Sequence, residues 1–145
     1  VFAAATDLDW HPPDTGSLHG DLTELNREIQ DSLTEEPSIA LALIAVSFRS
    51  KDAARALRQL WEDRYTQCEI VAERAIERGE IPAGTDPRAL LVAATAPVYH
   101  RLVLLRAPAD AGFPERAAGA AVSAARAGAF ESPVAEADTV ETSSG

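Results

Sequence analysis

The sequence predicts an all-α domain, a bundle of about five helices, and three observations carry that reading. The chain has 29 Ala against 4 Phe, 2 Tyr and 2 Trp, a composition that favours thin, closely packed helices because alanine has the best helix propensity and little bulk. Its apolar residues recur at spacings of three and four rather than two. Each periodic stretch is bounded by Ser, Asp, Pro or Gly at positions where helices begin and end.

The elements follow in order. Thr6 to Gly16, with His11-Pro12-Pro13-Asp14 at its centre, reads as an extended connection. Val1 to Ala5 before it looks like a helix end. Leu18, Leu22, Leu25, Ile29 and Leu33 then form one helical face, with Asp21 and Glu24 near the positive end of the macrodipole. Pro37 restarts the chain and suits a first helical turn. The helix that follows, Ser38 to Phe48, is apolar on every side and is therefore expected inside the domain, covered by the others.

Lys51 to Arg78 is the longest segment, with Leu57, Leu60, Trp61, Tyr65, Cys68, Val71, Ala72, Ala75 and Ile76 on one stripe. Gly79 is its stop, since glycine tolerates the left-handed backbone of a helix end. Asp86-Pro87 opens the next helix with a capping carboxylate and a first-turn proline, and the helix runs to about Arg106. Pro97 interrupts it; a missing N–H and a clash with the preceding turn predict a kink near Ala93. Pro114 begins a last, alanine-rich helix ending near Gly128, whose small side chains call for a flat partner surface. The polar, acidic stretch from Glu131 to Gly145 reads as a disordered tail. The domain proper is thus expected over 17–130, with 1–16 and 131–145 flanking it.

Charge and motifs exclude several functions. Thirteen basic and 23 acidic residues give a net charge of −10 and a pI near 4.6, the wrong sign for holding a phosphate backbone. One cysteine, Cys68, allows no internal disulfide, and with no membrane-spanning apolar run the expected location is the cytoplasm. His11, His19 and His100 offer no metal-ligand spacing, and neither a Glu-x-x-His pair nor a glycine-rich phosphate loop is present. No metal, cofactor or enzyme activity is therefore expected. The acidic residues between Glu62 and Glu80 alternate with Arg58, Arg64, Arg74 and Arg78, which reads as a solvated face. The chain contains no methionine, so a piece is expected to be missing upstream.

A combination of segments suggests a family. Trp61-Glu62-Asp63-Arg64, Ala75-Ile76-Glu77-Arg78-Gly79-Glu80-Ile81-Pro82, Asp86-Pro87 and Ala96-Pro97-Val98-Tyr99-His100-Arg101-Leu102 occur in that order, after Asp14-Thr15-Gly16-Ser17-Leu18. Over roughly Asp14 to Gly128 the chain resembles the C-terminal domain of TetR-family transcriptional regulators. The resemblance implies an effector-binding domain that dimerises through its last two long helices as a four-helix bundle. Operator DNA would be read by an N-terminal helix-turn-helix that is not in this sequence. On that basis Leu91, Val98, Leu102, Leu105, Ala118, Ala121, Val122 and Ala125 are expected at the dimer interface.

Within that frame Phe48, Trp61, Tyr65, Cys68, Tyr99 and His100 are the candidate effector-binding residues. An aromatic stripe at helical spacing is equally what an ordinary core looks like, and a lone buried cysteine usually acts as a small hydrophobe. Gly79, Asp86, Pro97 and Arg101 read as structural, with Asp86 or Glu80 as carboxylate partner of Arg101. The function expected is a ligand-sensing, homodimerising half of a TetR-like repressor responding to a small apolar effector. The rival is a helical protein-interaction module with no small-molecule pocket.

Overall fold

A computed structural model describes residues 10–133. Five α-helices succeed one another: α1 Leu18–Thr34, α2 Ile39–Ser47, α3 Lys51–Glu77, α4 Pro87–Tyr99 and α5 Phe113–Arg126. A five-residue π-helical segment, His100–Leu104, extends α4. The only β feature among the described residues is an isolated antiparallel bridge between Thr85 and Glu131.

Helix α1 forms the centre, packed against α5, α4, α3 and α2. Its start is over-determined: the Ser17 hydroxyl accepts from Gly20 N–H at 3.0 Å, and the Glu80 carboxylate, from the turn after α3, accepts from Leu18 N–H at 3.1 Å. All five residues of the expected face are buried, Leu18 and Leu22 completely. Asp21 is buried as well, accepting from the backbone N–H and hydroxyl of Thr15 at 2.6 and 2.8 Å. Asn26, also fully buried, donates to the carbonyls of Ala94 in α4 and Pro114 in α5, at 2.9 and 3.2 Å. One side chain thereby ties three helices at the middle of the core.

The expected ends of the helices hold. Gly79 closes α3 at φ +77°, where a side chain would be strained. Asp86 caps α4 by accepting from Arg88 N–H at 3.0 Å, with Pro87 in the first turn. The irregularity lies after Pro97 and not near Ala93 as the sequence suggests, as the π segment His100–Leu104 in which Leu105 N–H reaches back to His100 O. Arg106 then takes a left-handed φ of 52° and ends the helix.

Three expectations are corrected. Helix α2 does not lie inside: of its residues only Ala40 is buried, while Ile39, Leu43 and Val46 are 57%, 41% and 51% exposed. Nine residues packed on one side against α3 and α1 leave the outer face with no helix over it among the described residues. Pro37 precedes the N-cap Ser38 rather than occupying the first turn. The tail does not loosen at Glu131, because Ser132 N–H donates to Gly84 O and Asp86 N–H to Phe130 O, which pins the chain beside the start of α4. The rest of the expected tail, and the expected connecting-helix end at Val1 to Ala5, lie outside the described residues.

Candidate effector cavity

Helices α1, α3 and α4 enclose a small apolar cavity. Leu25 and Ile29 come from α1, Trp61, Arg64, Tyr65 and Cys68 from α3, and Leu91, Thr95 and Tyr99 from α4. Helical spacing on α3 explains its share: residues 61, 64, 65 and 68 fall on one face. The aromatic rings make a connected wall, Trp61 stacking on Tyr65 at 6.1 Å between centroids and meeting Tyr99 edge-on at 5.1 Å and 81°. Outside this wall Arg88 lies 4.7 Å over the Tyr65 ring and grips Glu62 by two hydrogen bonds of 2.7 and 2.8 Å, joining α3 to α4.

The polar groups at the cavity are few and specific. Burial raises the Tyr99 phenol well above its ordinary range, so its hydroxyl is a neutral donor at physiological pH. That hydroxyl is inaccessible to solvent and makes no hydrogen bond. Arg64 is 8% exposed, and burial lowers its pKa while Cys68, Glu28 and Tyr99 raise it. The Arg64 guanidinium stacks 3.9 Å from the Trp10 ring centre and donates to Gln67 at 3.3 Å. Glu28 behind it has its carboxyl raised by burial, a change partly offset by Trp10 and Arg64.

Burial pushes the Cys68 thiol up to about 11. An unfolded thiol ionises near its ordinary 9, so the folded state is favoured below that value and loses this advantage as pH rises from about 9 through 11. Cys68 is therefore expected to react with a thiol-specific disulfide reagent at pH 8 at least about a hundredfold more slowly in the native chain than in urea-unfolded chain. Comparable rates in the two states would show that the thiol is open to solvent.

The structure thus brings Trp61, Tyr65, Cys68 and Tyr99 together and leaves the other two candidates outside. Phe48 is 85% exposed at the end of α2, and His100 is exposed on the π segment, one residue past the wall. Arg64, read from the sequence as part of a solvated face, is instead a cavity wall. Its position three residues from Trp61 and four from Cys68 was the signal that charge alternation obscured. Arg101 pairs with neither Asp86 nor Glu80: it donates to Pro108 O at 3.2 Å and lies 5.1 Å over the Phe113 ring, holding the loop before α5.

The expected interface residues fall into two groups by burial. Leu91, Val98, Ala118, Ala121, Val122 and Ala125 are all at most 5% exposed within the single chain, because α4 and α5 turn these faces toward α1 and each other. Within the single chain they are core residues. Leu102 is half-buried and Leu105 is 63% exposed at the end of α4.

Among the described residues no three His, Cys, Asp or Glu side chains gather as a metal-ligand set, and no helix is long and apolar enough to cross a membrane. The chain is 34% identical over 84 residues to the HTH-type transcriptional regulator AqdR of Rhodococcus erythropolis, a match covering 55% of this chain and 39% of AqdR. Its fold matches the crystal structure of the TetR family transcription regulator SCO0332 with a TM-score of 0.66 at 28% identity, over 77% of this chain and 63% of that one. The chain therefore spans about two fifths of AqdR and just under two thirds of SCO0332. A family model described as tetracyclin repressor-like, C-terminal domain, matches residues 12–121, and with the all-helical fold and its relatives among transcription regulators this shows that the chain belongs to the TetR-like C-terminal domain family.

Proposed function

We propose that this domain is the effector-sensing and dimerising half of a cytoplasmic TetR-like repressor whose operator-reading helix-turn-helix lies upstream. The observation that carries the sensing role is the aromatic cavity between α3 and α4. Its volume is about 20 Å³, room for roughly one water molecule and not for an organic effector. Binding must therefore part α3 from α4. A ligand that fits only the parted arrangement has nearly all its affinity for that arrangement, the condition for shifting a population rather than merely occupying a site. The π segment and the Pro97 gap in the hydrogen-bond ladder put slack in α4 where such movement would be taken up.

The test is a thermal-shift screen of small, largely apolar compounds against the chain and its Tyr65→Ala variant. A true effector is expected to raise the melting temperature of the parent by several degrees and that of the variant by less than half as much, each shift being read against the same protein without ligand because loss of the Tyr65 ring itself lowers melting. A second reading, a protein-interaction module without a pocket, is favoured by the exposed apolar face of α2, where Ile39, Leu41, Leu43 and Val46 stand in solvent. It gains the argument if no small molecule moves the melting of either protein.

For the dimer, the faces left free by the monomer core are Val92 and Ala96 on α4 and Ala120 and Ser123 on α5 with Ala127 just after it, all exposed. Small side chains on two adjacent helices make the flat surface that a two-fold pairing of helix pairs uses.

A further inference from the structure

We infer that the effector is a flat aromatic molecule bearing an acceptor oxygen, a ring carbonyl or a carboxylate, that takes its hydrogen bond from the Tyr99 hydroxyl. This rests on the reading of the cavity as an effector site and adds the chemistry of what enters it. Three observations carry it. The Tyr99 hydroxyl is sealed from solvent yet makes no hydrogen bond, and a buried donor without a partner is a cost that a ligand oxygen would remove. The groups that act on this hydroxyl electrostatically are Tyr65, Arg64 and Cys68, and all three are walls of the same cavity. Arg64 brings positive charge to that end, which favours an electron-rich or anionic oxygen over a second donor. The protonated Cys68 sulfur is only a weak acceptor and does not compete with a ligand oxygen for the Tyr99 proton.

The remaining walls select the ring. Trp61 and Tyr65 present stacked faces and Leu25, Ile29 and Leu91 an apolar floor, so a planar ring system can replace the contact that Trp61 now makes with the edge of Tyr99. An alkyl chain would meet the same apolar floor but leave the hydroxyl unpaired. A cationic ligand would face Arg64. Both are disfavoured by the groups present.

The experiment compares two matched pairs of probes, 1-tetralone with tetralin and 1-naphthoate with naphthalene, each titrated by tryptophan fluorescence and by thermal shift. The parent chain and the Tyr99→Phe variant are measured side by side. In the parent, the oxygen-bearing member of each pair is expected to bind about tenfold more tightly than its oxygen-free partner, the worth of one well-placed hydrogen bond. In Tyr99→Phe that preference should shrink to about twofold or less, with melting of the unliganded variant unchanged or raised because an unpaired buried hydroxyl has gone. Equal binding within the pairs in the parent chain would overturn the inference while leaving the cavity reading in place. So would a preference that survives in Tyr99→Phe. Binding by none of the four probes would overturn both.

Discussion

Replacing Asn26 by alanine is expected to lower the unfolding free energy by about 2 to 3 kcal/mol, with no change in urea m-value. The side chain is completely buried and donates to Ala94 O and Pro114 O, so the substitution removes two hydrogen bonds worth about 1 kcal/mol each and leaves a small cavity between three helices. Asn26→Leu separates the two effects. It has the same branched shape without the amide and leaves no cavity, and is expected to lose the hydrogen-bond part, about 2 kcal/mol. At roughly 3 to 4 °C per kcal/mol for a chain of this size, the alanine variant should melt about 10 °C lower. A loss under about 1 kcal/mol in Asn26→Ala would mean that the α1–α4–α5 junction is held by apolar packing alone.

Asn26 also shows where sequence reading stops. The apolar face of α1, the glycine stop at Gly79 and the Asp86-Pro87 cap were legible because each is decided locally, by side-chain spacing or by backbone conformation. A buried asparagine has no such signature: Asn26 lies between Leu25 and Ile29 in the sequence, and only the tertiary approach of two carbonyls makes it a core residue. The same holds for Arg64, whose burial depends on Trp10 arriving over its guanidinium. Helix α2 misled for the opposite reason. Its composition states that it should be covered, but not by what, and the described residues leave its outer face bare. For the cavity, four of the six residues chosen from the sequence meet in space because three of them share one helical stripe and Tyr99 faces it from the next helix. Phe48 is a candidate as a ring able to fill the same space and His100 as a titratable group just after Pro97, and the geometry of α2 and of the π segment carries both away.

The second large effect concerns the dimer, and it turns on which face of α5 a substitution alters. Ser123→Arg together with Val92→Glu places charge on the exposed faces of α5 and α4. It is expected to convert a dimer of twice 15.4 kDa into a monomer across a light-scattering dilution series, with helix content by circular dichroism unchanged. A bulky residue at Ala118, completely buried against the core, should behave differently: overpacking there costs about 1 to 3 kcal/mol and lowers melting without acting through the interface. The contrast separates the two roles that the alanine-rich helix combines, because the pattern of small residues is the same on both faces and only the packing of α1 distinguishes them. Should the parent chain be monomeric at every concentration, the small exposed face of α4 and α5 is not a self-pairing surface in this domain. Should the surface variant remain dimeric, the pairing uses another face, and the bare apolar side of α2 becomes the next surface to charge.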